Sequence, residues 1–170
     1  MVSALNRLYG PNVVTGLAVL AVSLLLAGTV RAEETDERLA AFKLSTNCEP
    51  FSLRVGGLHP EAEAINLSRD SIVAAAESRL RAASLHDPEA HTYLFVNVNF
   101  MSEAFDIIVA FKKRLHDEYS GEHGFATTWA TGATGTHGGN SDTILALVDK
   151  SVDKFLGEYQ VVNEQACSSR

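Results

Sequence analysis

Residues 127–145 read TTWATGATGTHGGNSDTIL, and they are the part of the chain whose composition most suggests a site. Gly132, Gly135, Gly138 and Gly139 fall between an expected strand and an expected helix, where main-chain N–H groups and the helix dipole commonly hold phosphates. The details point elsewhere. No Gly-Lys-Ser/Thr ending supplies a lysine for outer phosphates, and the G-x-G-x-x-G spacing of a dinucleotide loop is missing. Asp142 brings its own negative charge to the first helical turn, where it satisfies the positive end and repels an anion. The glycines are therefore read as a corner, allowing positive φ where a strand turns to lay a helix on its own sheet.

Histidine is the next chemistry-bearing type. The six are His59, His86, His91, His116, His123 and His137. No two of them stand at i, i+4, and H-E-x-x-H is absent. A metal or small-ligand site at the glycine-loop end, built from His116, His123 and His137 with Asp117 beside them, is the alternative reading; its spacing is unspecific. No serine lies in G-x-S-x-G, and no nucleophile has a local base. Acids are plentiful, but spacing does not pair them on one element as a two-carboxylate hydrolase requires. No catalytic residue and no cofactor is expected, and an enzyme is the least supported class. Asn66-Leu67-Ser68 matches a glycosylation sequon, but Ser68 reads better as a helix N-cap.

The N-terminus supplies the compartment. Arg7 precedes the uncharged 18-residue run from Val13 to Val30, Val30-Arg31-Ala32 offers small residues for cleavage, and Glu33, Glu34, Asp36 and Glu37 follow. That is the pattern of a cleaved secretory signal over residues 1–32, with an uncleaved anchor as the alternative because the run just reaches spanning length. Thr29 stands where a lipobox needs cysteine, so no lipid anchor is expected. Loss of Arg7 and Arg31, and of no acid, moves the net charge from −7 to −9. Such a balance argues against nucleic acid and anionic membranes as partners. The two cysteines, Cys48 and Cys167, invite a disulfide in an oxidising compartment.

These residues must be positioned by a small domain. After an acidic lead-in over 33–46, residues 47–170 are expected to form one α+β domain. Phe51, Leu53 and Val55 alternate as a first strand. Ser68 caps a helix whose apolar face runs through Ile72, Val73, Ala76, Leu80 and Ala83, with Asp87-Pro88 as its stop. In residues 91–117 two alternating runs pair cleanly if opposed residues sum to 205. Leu94, Val96, Val98 and Phe100 then face Phe111, Val109, Ile107 and Phe105. A third strand is read roughly from Phe125 to Thr131. Ile144, Leu145, Val148, Val152, Phe155, Leu156 and Tyr159 mark a final amphipathic helix. The order β-α-β-β-β-α predicts a two-layer sandwich, an antiparallel sheet of about four strands covered on one face by two helices.

RVGGLHPEAEAINLS, ESRLRAA, TTWATGATGTHGG and the final NEQAC, together with the signal, resemble a group of small exported bacterial proteins of unknown function. The resemblance implies no activity and no site residues. At fold level the arrangement is similar to periplasmic accessory domains that help envelope machinery assemble. The leading functional expectation comes from the sheet instead. Its uncovered face carries Tyr93, Phe95 and Asn97, with Lys112 and Arg114 farther along. Trp129, the single tryptophan, joins them in one of the two orientations that strand alternation allows; in the other it fills the core. Aromatics beside arginine are typical of contact surfaces, so the expected role is a non-enzymatic binding domain for a protein partner in the cell envelope.

Overall fold

In the computed structural model of the chain, residues 35–169 are described except Ser102, so the expected signal peptide lies outside the described residues. The chain divides into two compact units, Met1–Ala41 and Phe42–Arg170. Of the first, residues 35–41 are described and are helical. The second opens with the helical residues 42–44, so the compact body takes in the end of the expected lead-in. It then contains strand β1 (Ser52–Val55), a 3₁₀ turn (Pro60–Ile65), helix α1 (Arg69–Ala82), strands β2 (Tyr93–Met101), β3 (Ala104–His116) and β4 (His123–Thr136), and helix α2 (Asp142–Ser168).

The class is α+β, and the strands lie in the order β1-β2-β3-β4. The sheet is mixed, not wholly antiparallel: β1 runs parallel to β2. The reason is connectivity. A helix intervenes between the two strands, and a crossover of that length returns the chain in its original direction, whereas tight turns reverse it. The other two pairs are antiparallel. In β2–β3 every opposed pair sums to 205, from Tyr93↔Lys112 to Met101↔Ala104. That register puts Leu94, Val96, Val98, Phe105, Ile107, Val109 and Phe111 on one buried face.

Local chemistry sets the helix ends. Ser68 Oγ accepts from the backbone N of Ser71 at 3.0 Å, and the Ser71 hydroxyl accepts from the backbone N of Ser68 at 3.2 Å. The pair is a reciprocal cap on α1. The helix stops before Asp87-Pro88. Ser84 takes φ 57°, the Leu85 N–H bonds the Leu80 carbonyl, and the Ser84 N–H bonds that of Arg81. This left-handed closure satisfies the last carbonyls without proline. At the other helix, Asn140 Oδ1 accepts from the backbone N of Asp142 at 2.8 Å, occupying a donor at the α2 N-terminus.

Both helices cover the same sheet face. Ile72, Ala76 and Leu80 of α1 and Ile144, Val148, Val152, Phe155 and Tyr159 of α2 join the buried strand residues in one cluster. At its centre Phe51, Phe111, Phe155 and Tyr159 meet with ring centroids 5.1–6.1 Å apart, each such pair worth roughly 0.5–1.5 kcal/mol beyond burial.

The segment before β1 is strapped down. Asn163 Oδ1 accepts from the backbone N of Thr46 at 3.0 Å and of Cys48 at 3.3 Å, while its Nδ2 donates to the carbonyls of Leu44 and Tyr159. Lys113 Nζ donates to the carbonyls of Phe42 and Ser45 at 2.7 and 3.0 Å, and burial there pushes its ammonium below the ordinary lysine range. The Cys48–Cys167 disulfide closes a sequence separation of 119 residues. Such a bridge fits a chain that matures in an oxidising compartment. Among the described residues no helix is long and apolar enough to cross a membrane.

Candidate binding face

Among the described residues no helix packs on the second face of the sheet, and its chemistry follows from alternation. Tyr93, Phe95, Asn97 and Asn99 of β2 stand opposite Lys112, Ala110, Ile108 and Asp106 of β3. Arg54 of β1 stands opposite Phe95. Tyr93, Phe95, Asn97 and Lys112 are half-buried, whereas Arg54, Asn99 and Arg114 are exposed. Arg54 lies over the Tyr93 ring, Cζ 3.8 Å from its centroid, and 6.0 Å from that of Phe125. Tyr93 and Phe125 are themselves 5.4 Å apart, and Lys112 Nζ is 5.8 Å from the Phe95 ring. These are cation–π distances, so one end of the face is a single aromatic and cationic patch. Toward the other end Asn97 Nδ2 donates to Asn99 Oδ1 at 2.8 Å and Asn99 Nδ2 to Asp106 Oδ2 at 3.3 Å, leaving a polar amide row. Between them Ala110 is only 4 % exposed, low among larger neighbours, while Ile108 is 40 % exposed beside Gly132.

Trp129 is not part of this face. It is 8 % exposed, packs 5.2 Å from Phe155, and its Nε1 donates to Glu158 Oε2 at 2.6 Å. The cause is a bulge. Phe111 pairs with Trp129 but the next residue, Lys112, pairs with Thr127. Thr128 is left as the extra residue, and its Oγ1 donates to the Lys43 carbonyl at 2.6 Å. A bulge inverts the alternation of everything beyond it. Trp129 therefore faces α2, and Phe125, opposite Arg114 and 47 % exposed, faces outward in its place. Phe125 and Arg54 are the members that sequence alternation overlooks.

The glycines divide into two sets. Gly132 and Gly135 belong to β4, which continues to Thr136 and so outruns the expected end at Thr131. A Cβ on Gly132 would lie 2.8 Å from the Ile107 carbonyl oxygen, and one on Gly135 3.0 Å from the Phe105 ring. Strand glycine here marks close approach. Only Gly138 and Gly139 form the corner, with φ 54° and 77°. His137 Nδ1 accepts from the backbone N of Gly139 at 3.1 Å.

The histidine trio does not converge. His116 and His123 are paired at one end of β3–β4, rings 4.9 Å apart. His137 follows the opposite end of β4, 6.0 Å from Phe100. Antiparallel strands of 13 and 14 residues hold the two places far apart. Asp117, the fourth candidate, turns back into its own loop, accepting from Tyr119 N at 3.0 Å and from the Ser120 hydroxyl at 2.8 Å. Among the described residues no group of three His, Cys, Asp or Glu is placed to hold a metal ion. An open cleft of about 450 Å³ lined by Thr46, Glu49, Pro50, Asp87, Ala90, His91 and Thr92 lies on the loops before β1 and β2. Its Asp87 is engaged with the backbone N of Glu89 at 2.9 Å.

Comparison with known proteins finds no matching family model, no matching curated protein and no matching solved structure.

Proposed function

We propose that this chain is an exported, non-enzymatic binding module that captures a protein partner in the cell envelope on the open face of its sheet. The observation that carries the reading is the asymmetry of the sheet. One face is sealed by α1 and α2, while the other presents Tyr93, Phe95 and Phe125 among Arg54, Lys112 and Arg114. A face meant only for water would alternate to polar residues throughout. Aromatic and arginine side chains at the centre of a patch are the residue types that dominate binding energy.

Export rests on the charged, apolar and small-residue order of the N-terminal sequence and is supported by the Cys48–Cys167 disulfide. Kinship with small exported bacterial proteins, and an accessory role beside envelope machinery, belong to the same proposal. The test is a photo-crosslinking residue placed at Phe95 or Phe125 in the native host, with Lys154, exposed on the outer side of α2, as control. One discrete adduct from the face positions and none from Lys154 is the expected result. Equal labelling from both positions would remove the assignment.

A further inference from the structure

The charge on the open face runs against that of the chain. The sequence carries 21 acidic and 14 basic residues, yet the cationic side chains of one end of this face, Arg54, Lys112 and Arg114, have no carboxylate within ion-pair distance among the described residues. The arginine ion pairs of the described residues lie on the helices instead, Arg79 with Asp149 and Asp153 and Arg81 with Glu77. The one acid in the strand positions of the face, Asp106, sits at the far end and is held by Asn99. Past His116 and His123, Asp117 turns back into its own loop. The arginine over Tyr93 is also ordered in advance. A guanidinium 3.8 Å from a ring centroid is stacked against it, which leaves its N–H edge free for a planar anion such as carboxylate.

Resting on the binding-face reading above, we propose that the partner segment is acidic: an extended stretch of polypeptide with carboxylates on alternate residues, laid across β1, β2 and β3. Geometry suits that form. Lys112 and Arg114 are two residues apart on β3, hence about 7 Å, and Arg54, level with Phe95 and Ala110, lies two strands across and two residues along from Lys112, about 12 Å. Alternate side chains of an extended segment repeat at about the same 7 Å. The aromatics between the cations receive its apolar residues. An anionic lipid surface is disfavoured because a chain of net charge −7 is repelled by it as a whole.

The test is an amide-resonance titration of the full-length chain at low salt with three probes. They are an octapeptide alternating glutamate and valine, the same peptide with glutamine for glutamate, and vesicles of phosphatidylglycerol in phosphatidylcholine. The glutamate peptide should bind about tenfold more tightly than its glutamine counterpart, and that advantage should vanish in molar salt. Its shifts should centre on Arg54, Tyr93, Lys112 and Phe125, and the variants Arg54→Gln and Arg114→Gln should erase the preference. Equal affinity for the two peptides, binding of neither, or binding to vesicles without a peptide preference would each overturn the proposal. The underlying reading fails separately. If Phe95→Ala abolishes adduct formation in the host and Arg54→Gln with Arg114→Gln does not, the face stands and the acidic partner falls. If none of these variants changes the adduct, both fall.

Discussion

Phe125 and Trp129 are four residues apart in one strand and lie on opposite faces of the sheet, Phe125 across from Arg114 and Trp129 across from Phe111. An even spacing should keep them together, since side chains alternate with period two. The unpaired Thr128 between them is what separates a core residue from a surface residue.

Trp129 should therefore behave as core. Truncation to alanine removes its contacts with Phe155 and Glu158 and is expected to cost about 3–5 kcal/mol in denaturant unfolding. As the only tryptophan, it should emit at short wavelength in the folded chain and shift to the red on unfolding. Emission already characteristic of water in the native state would show that the ring faces outward.

Asn163 and the disulfide hold the same segment, Leu44 to Cys48, against α2. Asn163→Ala leaves buried backbone groups unsatisfied and should cost about 2–3 kcal/mol. Replacing both cysteines by serine should cost about 2–5 kcal/mol. Because either change frees the same strap, the combined variant should lose less than the sum. Strict additivity in a double-mutant cycle would show that the two act on separate parts of the fold.

Gly132 is the glycine whose side-chain space is filled by backbone, with the Ile107 carbonyl oxygen 2.8 Å from a built Cβ. Gly132→Ala should lower stability by about 1–3 kcal/mol through a forced strand shift. Gly57→Ala, which meets nothing within 4 Å, should stay within about 0.5 kcal/mol of the parent. Thermal unfolding of both variants separates close approach from a general penalty for losing glycine.

The acid limb of stability has two named contributors. The hydrogen bond from Arg81, with the charges of Arg81 and His86, holds the Glu77 carboxyl below its ordinary range. Hydrogen bonds from Ser120 and Tyr119 hold Asp117 below its own. Folded values below unfolded ones mean that the stabilisation is complete at neutral pH and is lost as pH falls through the depressed folded values. The unfolding midpoint should thus fall below about pH 4, and less steeply in Glu77→Gln and Asp117→Asn. An unchanged acid limb in both would exclude these groups as its source.

Much of the fold is written in the residues, and the reasons differ by element. The β2–β3 register could be read because eight apolar side chains align in only one pairing. The α1 cap could be read because Ser68 precedes an apolar face, and the two cysteines left one partner each. The parallel β1 was implied by the helix that follows it, although an antiparallel sheet was the expectation. The bulge was illegible. Thr127, Thr128 and Thr131 are alike in chemistry, and only the tertiary bond from Thr128 to Lys43 singles one out. With the bulge hidden, Phe125 could not be assigned to the open face, and the strand glycines passed for a loop because glycine marks turns and close approach alike. Arg54 was overlooked because the neighbour of a parallel edge strand is fixed by a crossover and not by a turn.

The most direct test of a free recognition face uses Tyr93→Ala combined with Phe95→Ala, measuring thermal unfolding and adduct formation at Phe125 in the same preparation. The account predicts a Tm within a few degrees of the parent, as for surface substitutions, together with loss of the adduct. A Tm lowered as far as by Leu94→Ala, or an adduct that persists undiminished, would contradict it.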